Sequence, residues 1–85
     1  MYYVIWSSKA QKDLEDLGTD IATRVINRIE QIKYTPHHFI ERLAEVEGWK
    51  ARVGDYRIIL DVDDKTKTLV ILKIGHRKNI YKKLD

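Results

Sequence analysis

With 85 residues, the chain is long enough for one small domain that buries only about 60–65% of its unfolded surface, so one layer of helices on one sheet is the expected limit. It has no cysteine, which excludes disulfides and thiolate metal sites and fits a reducing, intracellular compartment. A net charge of +3 and a pI near 9.2 are modestly basic, but the charge is unevenly placed: Glu41, Glu45 and Glu47 share one segment, while Lys73, His76, Arg77, Lys78, Lys82 and Lys83 crowd the end. That asymmetry favours nucleic acid or an acidic protein as partner. No apolar run approaches the ~20 residues needed to span a bilayer. The stretch from Met1 to Trp6 has neither a basic n-region nor a cleavage site. A cytoplasmic protein without signal peptide or membrane span is expected.

In chain order, Tyr2 to Trp6 is aromatic and β-branched and predicts a first strand. Ser7 or Ser8 can cap a helix in which Ala10, Leu14 and Leu17 recur at helical spacing, with Gly18 placed as a left-handed C-terminal residue. Thr19 or Asp20 can cap a second helix, whose stripe is Ile21, Val25, Ile29 and Ile32, widened by Ala22 and Ile26. Pro36, the only proline, ends it by about Tyr34. The short link makes the two helices a hairpin. From Phe39 to Gly48 the pattern fits a weak helix or an ordered crossover equally well.

Next come two alternating runs, Trp49 to Val53 and Tyr56 to Leu60, joined by Gly54-Asp55. A two-residue Gly-Asp link predicts a tight β-hairpin, glycine supplying the positive φ. Counting outward, Val53 faces Tyr56, Arg52 faces Arg57, Ala51 faces Ile58, Lys50 faces Ile59 and Trp49 faces Leu60. Opposed residues share a face, so Trp49, Ala51, Val53, Tyr56, Ile58 and Leu60 form an apolar side and Lys50, Arg52 and Arg57 gather on the other. Like charges directly opposite are destabilising, so the Arg52/Arg57 pair is a local conflict of the kind that marks functional sites, and guanidinium forks match phosphate oxygens. A polar turn, Asp63 to Lys67, leads to a final strand from Thr68 to Ile74, with Gly75 ending it and a basic tail from His76 to Leu84 able to form a helical turn. The order β-α-α-β-β-β over residues 1–85 indicates a single α+β domain in which the helical hairpin covers the apolar face of a small, mostly antiparallel sheet.

Almost end to end the chain resembles the RelE/ParE toxin superfamily of toxin–antitoxin systems. The matching features are the opening strand, Leu17-Gly18 between two helices, the block from Trp49 through Gly54-Asp55-Tyr56-Arg57 to Ile58, and Ile74-Gly75-His76-Arg77 with Tyr81. Within the superfamily it is most similar to the RelE branch of ribosome-dependent mRNA endonucleases. The resemblance implies cleavage of mRNA in the ribosomal A site by the substrate's own 2′-hydroxyl, with no metal or other cofactor. Carried over by position, Lys50 and Arg52 match basic residues of the second strand, Arg57 the arginine after the hairpin tyrosine, Arg77 the arginine after the last strand, and Tyr81 a terminal tyrosine that stacks on a displaced base. Arg52 stands where studied members have a lysine proposed as proton acceptor, and arginine is a poor base. Proton abstraction then falls to Lys50, to His76 or to no single side chain. Tyr81 also lies closer to Arg77 than in those members.

Lys78, Lys82 and Lys83 are expected to contact ribosomal RNA phosphates. The adjacent His37-His38 pair does not indicate a metal site, since side chains of sequence neighbours diverge and no third ligand is evident. The resemblance further implies a RelB-like antitoxin in a hetero-oligomer and a monomeric free toxin. Two alternatives share the fold: a ParE-like toxin that inhibits DNA gyrase by binding, and an attenuated member acting only as a co-repressor with its antitoxin. The convergence of Lys50, Arg57 and Arg77 favours the nuclease.

Overall fold

The computed structural model describes residues 1–80. The elements are β1 (Tyr3–Trp6), α1 (Ser8–Asp16), α2 (Thr19–Tyr34), α3 (Pro36–Phe39), β2 (Ile40–Arg42), β3 (Trp49–Val53), β4 (Tyr56–Asp63) and β5 (Thr68–His76). One five-stranded sheet runs in the order β1-β5-β4-β3-β2, antiparallel except for the parallel β1/β5 pair. The α+β architecture and the β3-β4-β5 meander agree with the sequence pattern. The segment after Phe39 resolves as a short strand, β2, preceded by the single turn α3, which Pro36 opens at a position where its missing N–H costs nothing.

The hairpin register is the counted one: Trp49 opposes Leu60, Lys50 Ile59, Ala51 Ile58, Arg52 Arg57 and Val53 Tyr56. Its apolar side meets the helices. Ala10 of α1 and Val25, Ile29 and Ile32 of α2 are buried against Ala51, Val53, Ile58, Leu60, Leu69, Ile71 and Ile74, with α1 lying on β5 and α2 reaching β3. In β5 the buried residues step from Leu69 to Ile71 and then to Ile74, because an irregularity at Ile59/Leu60 of the β4 pairing leaves Leu72 unmatched. Such a bulge keeps apolar side chains inward on both sides of it. Ile26, which the stripe of α2 includes, is instead 44% exposed at the edge of the helical face.

Two glycines differ from their expected roles. Gly18 is the N-cap of α2, with φ −65° and ψ 159°, and Leu17 ends α1 in an extended conformation, so no left-handed residue is needed between the helices. Gly75 lies inside β5 instead of ending it, opposite Arg57. A Cβ at position 75 would come within 3.0 Å of Ile80 Cδ1, so the missing side chain admits buried Ile80. The tail makes a turn over 77–79 and a 3₁₀ position at Ile80.

Helix α1 also secures β5 beyond the end of β1. Ser7, whose Oγ accepts the Ala10 N–H at 3.0 Å as N-cap, donates that hydroxyl to the Leu72 carbonyl at 2.9 Å, and Asp13 Oδ2 accepts the Ile74 N–H at 2.9 Å. These bonds satisfy edge groups that β1 is too short to reach. Among the described residues no helix is long and apolar enough to cross a membrane.

Candidate functional site

On the sheet face turned away from the helices, strand pairing builds two adjacent rows of side chains. One runs Glu41, Lys50, Ile59, Lys73 across β2 to β5, and the other runs Arg52, Arg57, Gly75 across β3 to β5. Phe39, Glu41, Lys50, Arg52 and Arg57 line a cavity of about 140 Å³. The structure thus brings Lys50, Arg52 and Arg57 together.

The opposition of Arg52 and Arg57 is resolved at the hairpin tip. Arg52 Nε and Arg57 Nη1 both donate to the Gly54 carbonyl at 3.3 Å, and Arg57 Nη1 also reaches the Tyr56 carbonyl at 3.2 Å. One carbonyl oxygen draws both guanidinium groups, so the cations are held close without a carboxylate between them. Gly54 adopts φ +59°, the left-handed conformation that lets the two-residue turn close. Each guanidinium has five N–H donors, more than these bonds consume.

Arg77 does not line the cavity. Its N–H donates to the Asp55 carbonyl at 2.8 Å, and its Nε lies 4.0 Å from Asp55 Oδ1, so it is tethered to the same hairpin tip, half exposed. His76 pairs with Tyr56, with ring centroids 5.4 Å apart, and therefore shares the face of Tyr56 and not that of Arg57. Its Nδ1 accepts the Lys78 N–H at 3.2 Å, placing the neutral ring's proton on Nε2. The structure does not bring His76 into the cavity. Lys78 is exposed in the terminal turn, and Tyr81, Lys82 and Lys83 lie outside the described residues.

Two wall residues, Glu41 and Phe39, are absent from the sequence-derived set. Glu41 is registered against Lys50 through the β2/β3 pairing, and among the described residues it is the carboxylate of a cavity otherwise lined by cations and one aromatic ring. A carboxylate is an acceptor, whereas guanidinium and ammonium groups are donors only. The cavity therefore couples cationic donors to a proton acceptor. Its signal in the sequence was weak: Ile40-Glu41-Arg42 alternates for only three residues, and a six-residue connection separates it from Lys50's strand.

A second cluster braces the opposite end of the sheet. Asp64 Oδ1 accepts from the Tyr2 hydroxyl at 2.6 Å and lies 3.1 Å from His37 Nε2, whose ring meets Trp49 edge-on at 5.4 Å. Trp49 also carries the Arg42 guanidinium 4.9 Å over its ring. The Tyr2 bond, then the His37 bond, hold the Asp64 carboxyl below its ordinary range, and the same Tyr2 bond raises the phenol.

The chain is thus a small α+β domain whose helices cover one face of a five-stranded sheet and whose other face carries a cationic cavity, and the comparisons with known proteins say which class of domain this is. Residues 4–81 match the family described as the ParE toxin of type II toxin-antitoxin systems, parDE. The chain belongs to this family and so to the RelE/ParE superfamily of type II toxins. It is 32% identical over 85 residues to Toxin RelG of Mycobacterium tuberculosis, spanning 96% of this chain and 98% of that protein. The toxin–antitoxin complex RelBE2 from Mycobacterium tuberculosis contains a chain that matches with a TM-score of 0.81 at 32% identity, over 89% of this chain and 98% of that one. The archaeal RelE–RelB complex from Pyrococcus horikoshii OT3 matches with a TM-score of 0.74 at 28% identity, over 89% and 94%. These similarities support the RelE branch.

Proposed function

We propose that this toxin is a metal-independent endoribonuclease that cuts mRNA in the ribosomal A site by activating the substrate's 2′-hydroxyl. The observation that carries the reading is the grouping of Lys50, Arg52 and Arg57 with Glu41 around one cavity. The 2′-oxygen attacks the adjacent phosphorus while its proton passes to a base. The bond from phosphorus to the 5′-oxygen breaks and that oxygen takes up a proton, leaving a 2′,3′-cyclic phosphate and a 5′-hydroxyl.

Negative charge grows on the non-bridging oxygens of the phosphorane-like transition state. Arg52 and Arg57, already positioned by Gly54, neutralise it, and a preorganised donor of this kind is worth ~10²–10³ in rate. Glu41 takes the proton that Arg52 cannot, with Lys50 beside it to hold the substrate phosphate. Arg77, on the hairpin tip, closes the rim on the leaving side. Lys78, with Lys82 and Lys83, contributes contacts to ribosomal RNA, and Tyr81 stacks on a displaced base. The relatives that are complexes with RelB proteins support a RelB-like antitoxin for this chain, seated over the basic surface in a toxin–antitoxin hetero-oligomer.

The match to the ParE toxin family keeps one other reading in play, the gyrase inhibition by binding that the resemblance to ParE-like toxins implies, and that reading leaves the cavity without a role. Ribosomes programmed with a short mRNA separate the two. Cleavage should leave a 2′,3′-cyclic phosphate and vanish when the scissile nucleotide is 2′-deoxy. Intact mRNA together with inhibited gyrase supercoiling would replace the nuclease with the binder.

A further inference from the structure

A second polar cavity of about 350 Å³ lies where α2 meets the hairpin tip, lined by Arg24, Asn27, Arg28, Gln31, Val53 and Gly54. Positions 24, 27, 28 and 31 are spaced three and four apart, so they share one helix face. Every polar side chain among the described residues lining the cavity can donate a hydrogen bond, and none is a carboxylate. Among the described residues, neither Arg24 nor Arg28 is ion-paired.

Two contacts link the walls of this cavity to those of the site on the other side of the sheet. Arg24 lies across the hairpin tip so closely that a Cβ at Gly54 would come within 2.7 Å of its Nη2, and the carbonyl of that same glycine receives Arg52 and Arg57. Arg28 places its guanidinium 5.0 Å over the ring of Phe39, which lines the catalytic cavity. A band of guanidinium groups thus runs from α2, over the tip, to Arg52 and Arg57.

We infer that Arg24 and Arg28, with the amides of Asn27 and Gln31, form a second phosphate-backbone site that holds RNA flanking the segment in the cavity. The inference rests on the ribonuclease reading for the choice of RNA over an acidic protein. Guanidinium forks and side-chain amides donating from one face, without carboxylates to repel a polyanion, are the chemistry of backbone contact. Phe39 of the first cavity lies under Arg28 of the second, and Gly54 of the second accepts from Arg52 and Arg57 of the first, so one strand can engage both.

The test is equilibrium binding of the full-length protein to mRNA-programmed ribosomes by sedimentation over a range of salt, with cleavage followed in parallel. Arg24→Gln/Arg28→Gln should weaken binding by about tenfold or more and make the plot of log K against log salt shallower by about 1.4, the change for two lost single-strand phosphate contacts. Arg24→Lys/Arg28→Lys should restore most of that slope, which separates lost charge from a lost fold. Lys12→Gln/Lys65→Gln removes as much charge from exposed positions outside the band and should leave the slope close to that of the unmutated protein. Equal losses in this control and in the arginine variant would overturn the inference, as would unchanged ribosome binding with loss of antitoxin affinity alone, which would assign the face to the protein partner. Wild-type protein that binds through Arg24 and Arg28 but does not cut would retain the band and remove the nuclease reading.

Discussion

Arg52 and Arg57 stand directly opposite each other, a placement that costs a strand pair ~0.2–1 kcal/mol. The Gly54 carbonyl offsets that cost by accepting from both. The conflict was legible in the sequence because a two-residue turn makes register a matter of counting. Glu41 was not legible, because its place beside Lys50 depends on a three-residue strand reached through an irregular loop. As proton acceptor, Glu41 should be worth ~10²–10⁴ in rate. Glu41→Gln, nearly isosteric and exposed, should lower single-turnover cleavage by at least 100-fold with the melting temperature little changed. A Glu41→Gln protein that cleaves at the wild-type rate would return the base role to Lys50 or to no side chain. His76, drawn by the sequence as a possible proton carrier, is turned by strand alternation to the face of Tyr56.

At the scale of elements, the legible parts are those with strong local periodicity: α2 with its buried Val25, Ile29 and Ile32, and the β3-β4 hairpin. What was not legible depends on distant partners. The end of β5 is prolonged past Gly75 because Ile80 folds back into the space a side chain would fill, and β1 finds β5 across more than sixty residues. A further non-local device ties the first residues to α3 and the β4-β5 turn through Tyr2, Asp64 and His37. Asp64's folded pKa lies below its unfolded value, ordinarily about 3.9, so its contribution to stability is complete above that pH and is lost as pH falls toward the depressed folded value. Tyr2 has the opposite sign: its raised pKa means a contribution present below about pH 10 and lost above it. Urea titrations at pH 7 and pH 3 should therefore show a larger acid loss in wild type than in Asp64→Asn. Equal acid losses would show that the carboxylate is not linked to folding.

For the molecule as a whole, one core joins the helices to a single sheet face and leaves the other face to Glu41, Lys50, Arg52 and Arg57. Rigid strands, not loops, carry these groups, and the hairpin tip links them to Arg77 on one side and Arg24 on the other. Preorganisation of this kind suits a reaction whose main demand is placing positive charge around a phosphate. The most direct test is single-turnover cleavage of mRNA in the A site of programmed ribosomes by wild type and by Arg57→Ala, with folding checked by thermal melting. A cut ending in a 2′,3′-cyclic phosphate that slows by ~100-fold or more in the folded variant is the predicted result. Equal cleavage by the two proteins would contradict the assignment of this cavity as the catalytic site.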